Sequence, residues 1–245
     1  MTIAGAVPAV LSWTEPEGVA PRGTLVVVPG RGEHAGVYER FGHRISADGY
    51  RVHAVPDPTV DEEQAVEQVR AALDGPGPHV LVGSDAGALV AAGLVASGEV
   101  EVAGLVLAGF PTAAVADRHW EDEVAARTAC PTHRARLSGD DALRRGALAD
   151  RLPGEWFAHA VAQDVPVPVL GLHGTDDTIS PLAAVRDWYG DLPVAELVTI
   201  AGGRHDALND QTHRTAAATI VLFLERLRLG PDLPAIARVE EMVGR

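Results

Sequence analysis

Three short stretches of this sequence carry side chains able to move protons or form covalent bonds. LVGSDAGAL, residues 81–89, sets Asp85 between Gly83 and Gly87. A glycine two places either side is the spacing of a tight strand-to-helix turn that presents its central side chain. HGTDDTISP, residues 173–181, offers Asp177 with Asp176 as its competitor, and AGGRHDALND, residues 201–210, offers His205. A carboxylate that holds one nitrogen of an imidazole leaves the other free to exchange protons with a group at the turn. That group is a carboxylate, already an anion at neutral pH with no proton to give up. The nearest hydroxyl, Ser84, is one place early and points its Oγ away from the histidine. A fourth stretch, PGRGEHAGVYERF (29–41), has Gly30 and Gly32 to let backbone N–H groups approach a substrate oxygen. Arg31, Gly32, Glu33 and His34 on that loop, with Ala86 beyond the turn, are candidate substrate contacts. Phe110 and Trp156 are candidates to pack on an apolar substrate, although core packing accounts for each at least as well.

These side chains fall at the ends of apolar runs that read as strands: 24–30, 51–55, 79–83, 102–109, 168–174 and 196–203. Helical patterns lie between and after them at 37–48, 61–73, 86–96 and 212–228, with Phe41 and Ile45, or Val66, Val69 and Leu73, on one face. Strands alternating with helices imply an α/β fold, a mostly parallel sheet covered on both faces. In such sheets the site lies at the carboxyl ends of the strands, where the four stretches fall. Residues 110–165 break the alternation with polar helical pieces at 120–129, 140–152 and 154–162. That segment reads as a lid inserted over the strand ends of a single 1–245 domain. The C-terminal PDLPAIARVEEMVGR reads as a short packing helix.

Composition narrows the function. The 245 residues are 47% hydrophobic, enough for a large core, and carry net charge −14, which argues against nucleic-acid or anionic-membrane partners. All 20 basic residues are Arg. The single cysteine, Cys130, forms no internal disulfide and reads as a buried inert thiol, with no helix start or basic cluster to activate it. The N-terminal MTIAGAVPAVLSW lacks a signal peptide's pattern, and no apolar run reaches membrane-spanning length. A cytoplasmic protein is expected.

Over nearly the whole chain, the four stretches resemble those of the α/β-hydrolase fold. PGRGEHAGVYERF is similar to the HGxGEHxxxY loop of monoacylglycerol-lipase-like and lysophospholipase-like hydrolases, with Pro29 in place of the family's His. The resemblance implies that this loop helps form an oxyanion hole, that Asp177 and His205 are the catalytic acid and histidine, and that Asp85 stands at the nucleophile's position. Serine-esterase activity is therefore expected to be absent. Three possibilities remain. Dehalogenases and epoxide hydrolases of this fold use an Asp there, but follow it with Trp or another large residue, whereas Ala86 follows here. The chain also resembles atypical members of the fold that invert an aspartate α-carbon beside a thiazoline in a ribosomal peptide. This implies proton transfer on a modified peptide, with His205, Asp85 or the substrate's own carboxylate as base. The last possibility is a pocket that binds a small molecule without catalysis. No cofactor and no metal are expected.

Overall fold

Seven strands form where the sequence is β-branched and apolar: β1 (Leu11–Trp13), β2 (Gly23–Val28), β3 (Tyr50–Ala54), β4 (His79–Ser84), β5 (Gly104–Ala108), β6 (Val169–Gly174) and β7 (Ala195–Ile200). The computed structural model describes residues 10–114 and 120–238, with side chains from 123 onward in the second range. The strands pair in the order β1-β3-β2-β4-β5-β6-β7, all parallel except β1 against β3. β2, buried along its full length, and β4, buried after His79, lie in adjacent central positions. The register that pairs Val28 with Gly83 and Ser84 with Ala108 brings the ends of β2, β4 and β5 to one edge.

Alternation along the strands sorts the core into two layers. Leu25 and Val27 face one layer with Phe41 and Ile45 of α1 (Glu39–Ser46) and Ile220, Phe223 and Leu224 of α8 (His213–Leu227). Val26 and Val28 face the other, with Val66 and Val69 of α2 (Glu62–Ala72), α3 (Ala86–Ala96), and Val185 and Tyr189 of α7 (Leu182–Gly190). Asp61 caps α2, its side chain accepting from the Gln64 N–H. α3 is buried from Ala86 to Val95, because its small residues let it lie directly on the sheet. At its start a Cβ on Gly87 would come within 2.0 Å of the Val28 carbonyl oxygen.

The expected strands and helices form within a few residues of their expected limits. Edge strand β1 and helix α7 are additions that the alternating pattern did not reveal. Between β5 and β6 stand α4 (Trp120–Arg127), α5 (Pro131–Gly139) and α6 (Gly154–His159), with 3-10 turns at Ala147–Ala149 and Ala162–Asp164. α5 lies between the expected helical pieces at 120–129 and 140–152, and 140–152 itself is mostly turn rather than helix. The segment is tied to the strand-end loops: Arg144 N donates to Gly32 O (2.9 Å) and Asp206 N to Arg127 O (2.8 Å). Residues 231–238 of the tail form turns, not the expected helix. The rest of the tail and the start of the N-terminal stretch lie outside the described residues. Among the described residues no helix is long and apolar enough to cross a membrane.

Replacing Gly87 with Ala forces a methyl group into main chain that has no side-chain rotamer to yield. The Gly87→Ala variant is expected to lose about 2–3 kcal/mol of stability in urea unfolding, whereas Gly98→Ala, with open space around the Cβ but φ +73°, should lose less.

Candidate active site

Asp85 sits at the β4–α3 turn with φ +46° and ψ −119°, one of two described non-glycine residues with positive φ. This backbone is strained, at a cost of about 1–3 kcal/mol. It is held by the Asp85 N–H donating to Ala108 O (3.0 Å) and by the Ala88 N–H donating to Asp85 O (2.9 Å). The strain lifts the carboxylate off the sheet and into a ring of donors. Oδ1 accepts from Arg31 Nη2 at 2.8 Å and contacts His205 Nε2 at 3.2 Å. Oδ2 accepts from Arg31 Nε at 2.8 Å and from the Arg31 backbone N–H at 3.0 Å. The guanidinium is thus forked onto both oxygens, the geometry of a strong ion pair. Both groups are buried.

His205 completes the line. Its Nδ1 lies 2.8 Å from Asp177 Oδ2, and Asp177 Oδ1 accepts from the Ile179 and Ser180 N–H groups at 2.8 and 3.0 Å. Asp176 is exposed and bonds to Thr175, so Asp177 is the partner of the histidine. Burial by itself would hold the His205 imidazole down, but the Asp177 and Asp85 carboxylates outweigh it and raise its pKa to about 10. Burial would raise Asp85, yet the Arg31 charge and the His205 hydrogen bond keep it well below the usual carboxylate range. Asp177 is likewise lowered: burial opposes this, and the His205 charge with the hydrogen bonds from His173, His205 and Ser180 prevails. At neutral pH the site is therefore an alternating chain of charges: Arg31⁺, Asp85⁻, His205⁺, Asp177⁻.

A second buried network fixes the loop that carries Arg31. Arg127 Nη1 meets Glu33 Oε1 at 3.1 Å, and its Nη2 donates to Arg31 O at 2.7 Å and to Glu123 Oε1 at 2.9 Å. Glu33 Oε2 accepts from the Tyr38 hydroxyl, and Gly32 N donates to Asp57 Oδ2 at 2.8 Å. Gly32 has φ +76°, which suits glycine. Arg127, Asp57 and the buried His133–Asp206 pair (2.7 Å) escaped the sequence reading because their partners lie 25 to 96 positions away, and Glu123 because its place four residues before Arg127 reads as an ordinary surface pair.

The other expected substrate contacts fare unevenly. Arg31 forks its guanidinium onto Asp85 and also borders the cleft that Trp156 lines. Glu33 is enclosed in the Arg127 pair, so it shapes the loop rather than offering a free contact. His34 accepts from Gly36 N through Nδ1 and meets Asp140 at 2.8 Å through Nε2. It also lines, with Gly32, a cleft of about 280 Å³. Ala86 is buried just beyond the turn. Phe110 stacks on Trp188 with centroids 4.0 Å apart and belongs to the apolar layer. Trp156 packs in the same layer but also borders a cleft of about 270 Å³ whose floor includes Arg31. Ser84 is buried and bonds to Tyr38, away from the histidine. Cys130, against expectation, stands at the start of α5 beside Arg40 (3.7 Å). Burial would raise its thiol pKa, but hydrogen bonds from the helix start and Arg40 lower it. Among the described residues no group of three or more His, Cys, Asp or Glu is placed to hold a metal ion.

Solved structures superpose on nearly all of the chain. A soluble variant of monoglyceride lipase from Saccharomyces cerevisiae aligns at TM-score 0.73 and 15% identity, covering 89% of this chain and 91% of that one. The Paleococcus ferrophilus monoacylglycerol lipase aligns at TM-score 0.68 and 20% identity, covering 90% and 98%. The chain has the α/β-hydrolase fold. An enol-lactonase from Burkholderia xenovorans shares it at TM-score 0.65 and 16% identity, covering 88% and 95%. No protein-family model and no curated protein sequence matches the chain. Within this α/β-hydrolase fold, Asp85 stands at the strand-to-helix turn, with His205 and Asp177 on the loops after β7 and β6.

The sign of the pH dependence follows from the histidine. Its folded pKa of about 10 lies above the ordinary 6.5, so its contribution to stability is complete below pH 6.5 and lost as pH rises through 10. Urea unfolding should therefore show falling stability between pH 7 and 10. The His205 ring, followed by NMR, should still be protonated at pH 8. In Asp177→Asn the ring should titrate at lower pH, with stability at pH 7 reduced by about 3 kcal/mol or more.

Proposed function

We propose that this chain is an α/β-hydrolase-fold enzyme that moves protons instead of acyl groups. It takes hydrogen from a carbon beside a carbonyl or imine and returns it to the opposite face. The proposed substrate is a modified peptide with an aspartate next to a thiazoline, as in an epimerase of the bottromycin kind. The substrate identity rests on the sequence resemblance.

One observation carries the reaction class. His205 is held as an imidazolium between two carboxylates and aims Nε2 at a turn without a hydroxyl. Acyl transfer needs an alkoxide made by a neutral histidine, and neither partner is present. A stored proton facing a carboxylate suits proton transfer instead. With substrate between them, Asp85 takes the Cα–H and His205 Nε2–H protonates the planar carbanion from the other face. When product leaves, the 3.2 Å contact returns the proton from Asp85 to His205 and resets the site. Asp85 is a weak base, so the carbon must already be acidic; a neighbouring C=N supplies that acidity.

A second reading has its own support: Asp85 Oδ2 rests on a backbone N–H while Oδ1 faces the histidine. Such a carboxylate could attack an alkyl halide or epoxide through Oδ1, displacing halide or opening the ring to form an alkyl ester. Esterification removes the Asp85 charge, lowering the His205 pKa so that it can deprotonate the water that cleaves the ester. Arg31, forked on both oxygens, weakens this nucleophile and places the reading second.

Incubation in deuterated water with a peptide holding aspartate beside a thiazoline separates them. Proton transfer predicts deuterium at the aspartate α-carbon, falling about 100-fold or more in Asp85→Asn and His205→Ala. Incorporation of solvent oxygen-18 into Asp85 during turnover of an epoxide, without α-carbon exchange in the peptide, establishes the second reading instead.

A further inference from the structure

We infer that Arg31 is a specificity latch: the substrate presents a carboxylate that takes over the guanidinium fork and so frees Asp85. The inference rests on Asp85 being the reacting centre, as proposed above, and adds the charge and shape of what reaches it.

Three observations place the latch. The first is position. Arg31 borders the 270 Å³ cleft, whereas Asp85 and His205 do not. The guanidinium therefore lies between the cleft and the carboxylate it must uncover. Nε and Nη2 are turned toward Asp85, while Nη1 reaches the Leu148 and Asp150 carbonyl oxygens at 3.3 Å each, on the segment covering the strand ends.

The second is charge. The cleft is lined by Arg31, Arg144 and Arg151 against Glu62 and Asp150, in a chain whose net charge is −14. Arg144 is already paired with Asp150, and Arg151 makes no ion pair among the described residues. The third is an unused donor. Trp156 lines the same cleft, is buried, and its indole N–H has no acceptor. A buried N–H without an acceptor is uncommon, and a carboxylate entering the cleft is a group that would satisfy it.

The exchange suits one ligand class. A buried guanidinium that leaves its carboxylate must find another planar, two-oxygen anion or stay unpaired at high cost. A carboxylate conserves the fork; an amide of the same size does not. Asp85, once released, keeps the Arg31 backbone N–H as a donor on Oδ2, while the flank that the guanidinium held opens to substrate.

N-acetylglycine and N-acetylglycinamide differ in that one group. Calorimetric titration of the full chain is expected to show the acid binding at least tenfold more tightly than the amide. Asp85→Asn removes the internal competitor, and this variant should bind the acid at least tenfold more tightly than the unmodified chain, with the amide unchanged. The Arg31→Gln/Asp85→Asn double variant should bind both alike. Equal binding of acid and amide by Asp85→Asn overturns the inference. Independently of how that variant folds, a crystal structure of the unaltered chain soaked in N-acetylglycine gives a second reading. Arg31 transferred to the probe supports the latch; an intact Arg31–Asp85 fork with the probe bound elsewhere overturns it. A chain that exchanges α-carbon deuterium but ignores the acid–amide difference loses this inference and keeps the proton-transfer reading. The opposite result removes that reading alone.

Discussion

Four buried charges in a row govern this molecule. Arg31, Asp85, His205 and Asp177 alternate in sign, each 2.8–3.2 Å from the next, and all four are shielded from water. None tolerates that environment alone, because an isolated ion deprived of water costs several kcal/mol even after relaxation. Placed in alternation, each supplies what its neighbours lost as solvent. The row also has to be positioned with care. A guanidinium fork and an imidazole both address one carboxylate, so the strained turn that lifts Asp85 must coincide with the loops after β2, β6 and β7.

Much of the surrounding structure serves that coincidence. Glycine at 87 lets α3 start against the Val28 carbonyl, which sets how far the turn stands from β2. Arg127, reaching in from α4, takes the Arg31 carbonyl and the Glu33 carboxylate together, so the loop is held by the segment that covers it. Burial and the nearby Asp206 push Glu33 up while Arg127 and Tyr38 pull it down. Its ion pair is a compromise, and it ties the shape of the loop to the placement of α4. The segment between β5 and β6 and the charge row are therefore joined through the Arg127 side chain.

The α/β-hydrolase fold, shared with lipases and a lactonase, here carries a carboxylate at the strand-to-helix turn with an imidazole and a second carboxylate beyond it. A serine at the turn needs a neutral imidazole to accept its proton. A carboxylate at the same place does the reverse: it draws a proton onto the imidazole and then requires a cation of its own. Arg31 is that cation. The carboxylate at the turn is thus answered by a cation on the loop after β2.

The sequence by itself determined the parallel sheet, its two apolar layers and the edge where the site lies. Those follow from local alternation, from runs of β-branched residues, and from glycines spaced about a turn. It also offered Asp85 through the glycine spacing of its turn, and His205 with either Asp176 or Asp177 through the resemblance of their loops. Only the tertiary structure decided that Arg31 faces inward, that Glu33 is spent on Arg127, and that Phe110 is packed against Trp188. It likewise decided that Asp177 rather than Asp176 meets the histidine, and that Cys130 opens a helix beside Arg40. The physical reason is range. Periodicity and turn chemistry act over a few residues, so they can be read along the chain. A charge buried by folding is neutralised by whatever the topology carries to it, here from 28, 54 or 120 positions away, and no local pattern records that meeting.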